Sequence, residues 1–223
     1  DVYKRQQVLK SNLRTIDWSE SLQRIVDKIL ADEPLTKLDG LSLFSEPNLF
    51  ELGQLALLHK KAMFGEHAYF NSNVHINQTN ICVLACRFCA FRRGPKADDA
   101  YALSIENYLE ELSKFSSYVN EVHSVGGLHP EWTVDHYADL FRRIRFEYPN
   151  ISIKALTAVE VKHLAQLSNL SIRSTLLQLK ESGLTSLPGG GAEILDDDVR
   201  AIICNGKESS QEYLDIHQTA HEI

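Results

Sequence analysis

Three cysteines fall within eight residues, Cys82-Val83-Leu84-Ala85-Cys86-Arg87-Phe88-Cys89, separated by three and then by two residues. Thiolates are soft ligands that select zinc, copper(I) or iron–sulfur clusters. A closed zinc site or an ordinary four-iron cluster takes four protein ligands, and this stretch offers three. The remaining cysteine, Cys204, lies near the other end of the chain. Cys82, Cys86 and Cys89 on a four-iron cluster leave one iron open to an outside ligand. Two other readings stand beside this one. Three clustered thiols can be buried apolar side chains, although Arg87 between two of them suits a core poorly. They can also form a structural zinc site completed by a histidine such as His75.

Bulk properties narrow the class. A chain of 223 residues can bury a substantial core. A net charge of −7 argues against nucleic acid or an anionic membrane surface as the main partner. No apolar run approaches the roughly 20 residues of a membrane span, and no signal-peptide pattern opens the chain. Four cysteines, three of them clustered, do not make a disulfide framework, so a cytoplasmic location is expected. The chain starts at Asp1 and holds methionine only at Met63. It is expected to be a fragment of a longer protein, with an opening hexapeptide, Asp1 to Gln6, that fits no pattern after it.

Residues from about 17 to 62 carry helical periodicity. Leu22, Ile25, Val26, Ile29 and Leu30 recur at helix spacing. Thr36 with Asp39 forms a capping-box pattern, and Leu49, Leu52, Leu55 and Leu58 line a further helix. From about residue 68 the pattern changes. Tyr69-Phe70 and Val74 to Asn77 read as strand, the second leading into the cysteine loop. Asn77, Thr79 and Asn80 can shape that loop through backbone hydrogen bonds, and Arg92, Arg93 and Gly94 close it. Strands are expected at Glu121 to Val125, Ile151 to Leu156 and Leu184 to Leu187. Helices are expected between them, with caps at Ser104, Thr133 and Ser209. Alternating strands and helices imply a parallel sheet with helices outside. Ligand sites in such folds gather at the C-terminal strand ends.

The unusual residues fall at those ends. Gly126-Gly127-Leu128-His129-Pro130 follows the second strand, where glycine lets backbone approach a ligand closely. His129 is either a substrate hydrogen-bond partner or a solvated loop residue. Glu160 follows the third strand and is either a ligand contact or a first-turn carboxylate favoured by the helix dipole. Pro188-Gly189-Gly190-Gly191-Ala192-Glu193 follows the fourth. Gly189 and Gly190 suit a cofactor or substrate edge, Glu193 a polar contact there or a helix start, and no Lys-Ser/Thr follows to make a phosphate loop. Cys204 reads as a buried thiol, and His217 with His221 as a packed or solvated helix face.

Several stretches together resemble the radical S-adenosylmethionine (SAM) enzymes of futalosine-dependent menaquinone biosynthesis and their coenzyme F420-pathway relatives. They are His75 to Cys82, Cys89-Ala90-Phe91, Val125 to Pro130, Lys154 to Glu160, Leu187 to Glu193 and the tail from Ile203 to His221. The resemblance implies an α/β fold: a partial (βα)6 TIM-like barrel, of which four units are present and the C-terminal ones missing. Residues 1–66 are then an N-terminal helical region and 67–223 the incomplete barrel. It implies a [4Fe-4S] cluster on Cys82, Cys86 and Cys89, with SAM on the open iron. Phe88 and the Gly126–Gly127 edge then lie against SAM, and Glu160 accepts from its ribose. Leu128 stands where many radical SAM enzymes have a glutamate, and Asn205 where the family has proline. The implied activity is transferase chemistry, adding the 5'-deoxyadenosyl group to 3-((1-carboxyvinyl)oxy)benzoate to form 6-amino-6-deoxyfutalosine with loss of the carboxyl group. Partners are the small-molecule substrate and a one-electron donor such as flavodoxin or ferredoxin. The alternatives are the sister cyclase acting on dehypoxanthine futalosine, an F420-precursor synthase subunit, and a non-catalytic iron–sulfur or zinc protein.

Overall fold

The computed structural model describes residues 2–223, with side chains from Lys4 onward. The chain divides into two compact units, residues 1–70 and 71–223. The first is helical: α1 (Val2–Leu13), α2 (Glu20–Leu30), α3 (Lys37–Phe44) and α4 (Leu49–Phe64). Leu22, Ile25 and Val26 of α2 meet Leu55 and Ala62 of α4 in a core that also takes Leu9, Leu13 and Trp18. The Trp18 indole N–H donates to the Leu13 carbonyl at 3.0 Å. Leu9 and Leu13, one helical turn apart, place a face of α1 in this core. The Thr36–Asp39 capping box forms as expected.

The second unit alternates strands and helices. Its elements are β1 (Asn73–His75), α5 (Ile105–Ser113), β2 (Glu121–Ser124), α6 (Val134–Glu147), β3 (Ser152–Ala155), α7 (Ala158–Leu167), α8 (Ile172–Glu181), β4 (Leu184–Ser186), α9 (Asp197–Ile203) and α10 (Ser210–Glu222). The four strands form one parallel sheet in the order β1-β2-β3-β4. Tyr69-Phe70 is not a strand; both rings are exposed and neither residue pairs with the sheet.

Strand residues alternate between two environments. Val122, Ile153 and Leu184 are buried against Tyr108, Leu112, Phe141, Ile144, Leu164, Leu176 and Leu179 from the helices. His75, His123 and Lys154 stand at the intervening positions and are not part of that core. The helices start where side chains can satisfy the first N–H groups. Ser104 accepts from Asn107 N–H at 3.1 Å, and Ser209 and Glu212 form a complete capping box. Thr133 occupies the N-cap of α6 without bonding to it. The Val134 N–H donates instead to the Ser168 hydroxyl at 2.9 Å, a tertiary cap from the end of α7. Among the described residues no helix is long and apolar enough to cross a membrane.

Phe141 is fully buried between sheet and helices. Phe141→Ala should lower the unfolding free energy by about 3–5 kcal/mol, read from urea denaturation followed by circular dichroism.

Candidate active site

The cysteine loop leaves the C-terminal end of β1 and is closed at its neck like a lariat. Arg93 N–H donates to the Asn80 carbonyl at 2.7 Å, and Cys82 N–H to the Arg93 carbonyl at 3.0 Å. The Arg93 guanidinium holds the Asp99 carboxylate at 2.7 Å and donates to the Ala90 carbonyl at 2.8 Å and the Arg92 carbonyl at 2.9 Å. Asn80 reaches the following segment on both sides of its amide, donating to the Asp99 carbonyl and accepting from Tyr101 N–H. Thr79 donates to the Tyr101 carbonyl at 2.7 Å and accepts from Ile81 N–H. A loop with no regular secondary structure is thus pinned through its neck.

Gly126 and Gly127 pack against that neck. A Cβ on Gly127 would lie 2.1 Å from the Ile81 carbonyl oxygen, and one on Gly126 3.0 Å from the Thr79 oxygen. Both glycine N–H groups bond within the protein, Gly127 to the Thr79 carbonyl at 2.8 Å and Gly126 to a Glu160 oxygen at 2.9 Å. Val83 N–H, inside the loop, donates to the Leu128 carbonyl at 3.0 Å.

Glu160 has a different task from the ribose contact expected of it. It is only 4% exposed. One oxygen accepts from Thr157 N–H and hydroxyl at 2.7 and 2.8 Å, the other from Gly126 N–H and from Gln78 Nε2 at 3.4 Å. With four donors in place it caps α7 and fastens the glycine edge. Burial pushes its pKa up to about 7, against the pull of those donors. Gln78, fully buried, also donates to the Tyr137 hydroxyl and accepts from the Ser124 hydroxyl. Its position in the sequence carried no signal of this junction, since a lone glutamine before a loop is usually solvated.

The far side of the cysteine loop is held by a segment distant in sequence. Arg87 N–H donates to the Ile203 carbonyl at 2.8 Å, and Gly206 packs on Leu84. Lys207 lies over the Phe88 ring at 5.7 Å and pairs with Glu193 at 2.9 Å. Phe88 is half exposed. Glu193 is thereby an ion-pair partner rather than a helix start, and it adopts a left-handed φ of 44°. Gly189 accepts from the Tyr213 hydroxyl at 2.8 Å. Gly190 and Gly191 lie against Thr157 and Val159 at the start of α7, where a Cβ would be crowded. His129 is stacked on Trp132, which stacks on His136, with ring centroids 4.4 and 4.0 Å apart. Its Nδ1 accepts from Glu131 N–H at 3.2 Å on a half-exposed loop.

Burial pushes the Cys86 thiol above the ordinary thiol range, opposed by the Lys207 ammonium and reinforced by the nearby Cys204, Cys82 and Cys89. Cys204 is buried, as expected, but next to the loop. Thiols that raise one another's pKa are relieved by a multiply charged cation among them. Among the described residues no three Cys, His, Asp or Glu side chains converge as one metal ion requires. A four-iron cube takes each thiolate at a separate corner, and three thiols on one pinned loop suit that group.

A family model for the radical SAM superfamily matches residues 76–223. The chain belongs to the radical SAM superfamily. It is 35% identical over 200 residues to aminodeoxyfutalosine synthase of Thermus thermophilus, an alignment covering 89% of this chain and 54% of that protein. It is 37% identical over 204 residues to the 5-amino-6-(D-ribitylamino)uracil–L-tyrosine 4-hydroxyphenyl transferase of Methanothermobacter thermautotrophicus, covering 90% of this chain and 55% of that one. The fold matches the crystal structure of HydG, a maturase of the [FeFe]-hydrogenase, with a TM-score of 0.67 at 16% identity, over 99% of this chain and 48% of that one. The chain thus spans about half the length of the curated relatives it matches. Its four βα units are a partial radical SAM barrel.

Two substitutions test the pinning of the loop. Gly127→Ala should lose most of the iron and sulfide taken up on anaerobic reconstitution while far-UV circular dichroism is unchanged; full uptake would show that the close approach to Ile81 is dispensable. For Glu160, the folded state holds a proton more tightly than the unfolded chain. Its contribution to stability therefore falls as pH rises from about 4.5 to about 7. Glu160→Gln should flatten that part of the stability–pH curve, measured by denaturation at a series of pH values.

Proposed function

We propose that the protein to which this chain belongs adds the adenosyl group of SAM to 3-((1-carboxyvinyl)oxy)benzoate, giving 6-amino-6-deoxyfutalosine with loss of a carboxyl group, in menaquinone biosynthesis. The observation that carries the reading is the pinned loop of Cys82, Cys86 and Cys89 at the β1 end, set against the glycine edge, in a chain similar to a protein named aminodeoxyfutalosine synthase. Cys82, Cys86 and Cys89 would hold a [4Fe-4S] cluster, which would supply the electron for reductive cleavage of SAM.

The chain's own residues supply placement. The lariat neck at Asn80 and Arg93 and the clamp from Ile203 to Lys207 hold the three thiols from two sides. In this reading the Gly126–Gly127 edge and the half-exposed Phe88 ring would lie against SAM. Gly189 and Gly190 form the opposite rim, with Glu193 fixed by Lys207. A cluster with an open iron is oxygen-labile, which fits a reducing cytoplasm and a flavodoxin or ferredoxin as electron donor.

The second reading is the transfer named for the Methanothermobacter relative, whose similarity is comparable. Full-length protein reconstituted anaerobically with iron and sulfide should become brown and cleave reduced-cluster-bound SAM, and the mass of the product made from the benzoate identifies the reaction. Product from L-tyrosine and 5-amino-6-(D-ribitylamino)uracil instead would replace it with the second reading. A colourless protein holding stoichiometric zinc would remove both. Cys86→Ala should abolish iron uptake and SAM cleavage while leaving the helical circular dichroism intact.

A further inference from the structure

Three side chains stand in one row on the face of the sheet away from its helices. His75 and His123 are Cα partners across β1 and β2, and His123 and Lys154 across β2 and β3. The preceding residues Val74, Val122 and Ile153 pack into the helix-covered core. Alternation along each strand therefore sends the row the other way. The two imidazoles stack, with centroids 4.7 Å apart and planes 14° from parallel. Lys154 Nζ lies 3.9 Å from Glu121 Oε1, one rung nearer the strand N-termini, and Asn71 donates to the other Glu121 oxygen at 3.2 Å.

The row is short of partners. His123 Nε2 is buried with no hydrogen-bond partner, and so are two acceptors beside the row, Oδ1 of Asn77, two residues beyond His75, and Oε1 of Glu121. Buried polar atoms are nearly always paired, and an orphan costs about 1–3 kcal/mol. Strands of a parallel sheet are usually apolar on both faces, yet this rung is polar on three consecutive strands. The two rings and the Lys154 ammonium offer donors from which a carboxylate can accept, while the unpartnered Asn77 and Glu121 oxygens call for a hydroxyl or water donor beside it. A flat ligand also finds the exposed His75 ring as a stacking surface. The row sits on the strands whose ends carry the cysteine loop and the glycine edge.

We propose that His75, His123 and Lys154 bind a carboxylate of an aromatic-acid substrate and select the acid over its uncharged analogues. The identity of that acid as a benzoate rests on the function proposed above; the carboxylate class rests on the row itself. These are positioning and specificity residues, distinct from the thiols that hold the cluster.

The test uses reconstituted full-length protein with SAM bound. Isothermal titration would compare three probes: 3-((1-carboxyvinyl)oxy)benzoate, 3-hydroxybenzoate and methyl 3-hydroxybenzoate. The parent should bind the acids at least about 10-fold more tightly than the ester. Lys154→Met and His123→Gln should each weaken acid binding about 10-fold or more and leave ester and SAM binding unchanged. Lys154→Arg should restore most of the loss. His75→Gln, at an exposed position, gives the same reading should a buried substitution unfold the protein. Equal binding of acids and ester by the parent, or parent-like acid binding by the variants, overturns the row. Product mass on the same samples separates the two ideas. Turnover of the benzoate with variants that bind like the parent sinks the row alone. Acid binding that depends on the row without product sinks the reaction alone.

Discussion

The site depends on a buried carboxylate. Glu160 closes the N-terminus of α7, takes the Gly126 N–H and meets Gln78, so one side chain joins the ends of β1, β2 and β3. The strands themselves are only three or four residues long, too short for their ladders to fix the loops that follow. A carboxylate with four donors inside a desolvated junction sets the spacing between the glycine edge and the cysteine loop. Leu156, just before this cap, takes a left-handed φ of 62° while fully buried. That conformation is unfavourable for a residue with a Cβ. It turns the chain from β3 toward Thr157 and is held by the hydrogen bonds of the cap.

The cysteine loop sits between two fasteners of unequal sequence distance. The neck at Asn80, Arg93 and Tyr101 is local, and its polar residues announce it. The clamp from Ile203 to Lys207 comes from the far end of the chain and meets the loop through one backbone hydrogen bond, a glycine contact and a cation over Phe88. Lys207 also offsets part of the desolvation that raises the Cys86 thiol. The ammonium is itself neutralised by Glu193 at 2.9 Å, which ties the glycine-rich rim after β4 to the loop after β1. Lys207 thus links the rim after β4 to the cysteine loop, beside the Arg87–Ile203 hydrogen bond and the Gly206–Leu84 contact.

Local signals were legible in the residues, and long-range ones were not. The capping boxes at Thr36–Asp39 and Ser209–Glu212 form because both partners lie within one turn. The βα alternation and the cysteine spacing are likewise local patterns. Thr133 shows the limit: it has the right residue in the right place, but Ser168, a full βα unit later, takes the N–H. Glu160 was visible as a first-turn carboxylate, yet its grip on Gly126 depends on how β2 and β3 lie side by side. Cys204 is buried, as expected, but nothing near it in sequence indicates that its neighbours return to the cysteine loop. Leu9 and Leu13, one turn apart ahead of the first expected helix, fill a core with α2 and α4.

The two faces of the sheet explain how so small a framework can hold a reactive site. The outer face is closed by α5, α6, α7 and α8, whose buried side chains mesh with Val122, Ile153 and Leu184. That apolar burial supplies most of the stability, at about 25 cal/mol for each Å² removed from water. The inner face contributes little to it, so His75, His123, Lys154 and Glu121 are free to be chosen for chemistry rather than packing. A polar rung inside a barrel is tolerated only when water or a ligand completes its hydrogen bonds. The unpartnered nitrogen of His123 thus follows from the same alternation that builds the core: the residues one step away stabilise the fold, and those on the row are left to whatever the barrel encloses.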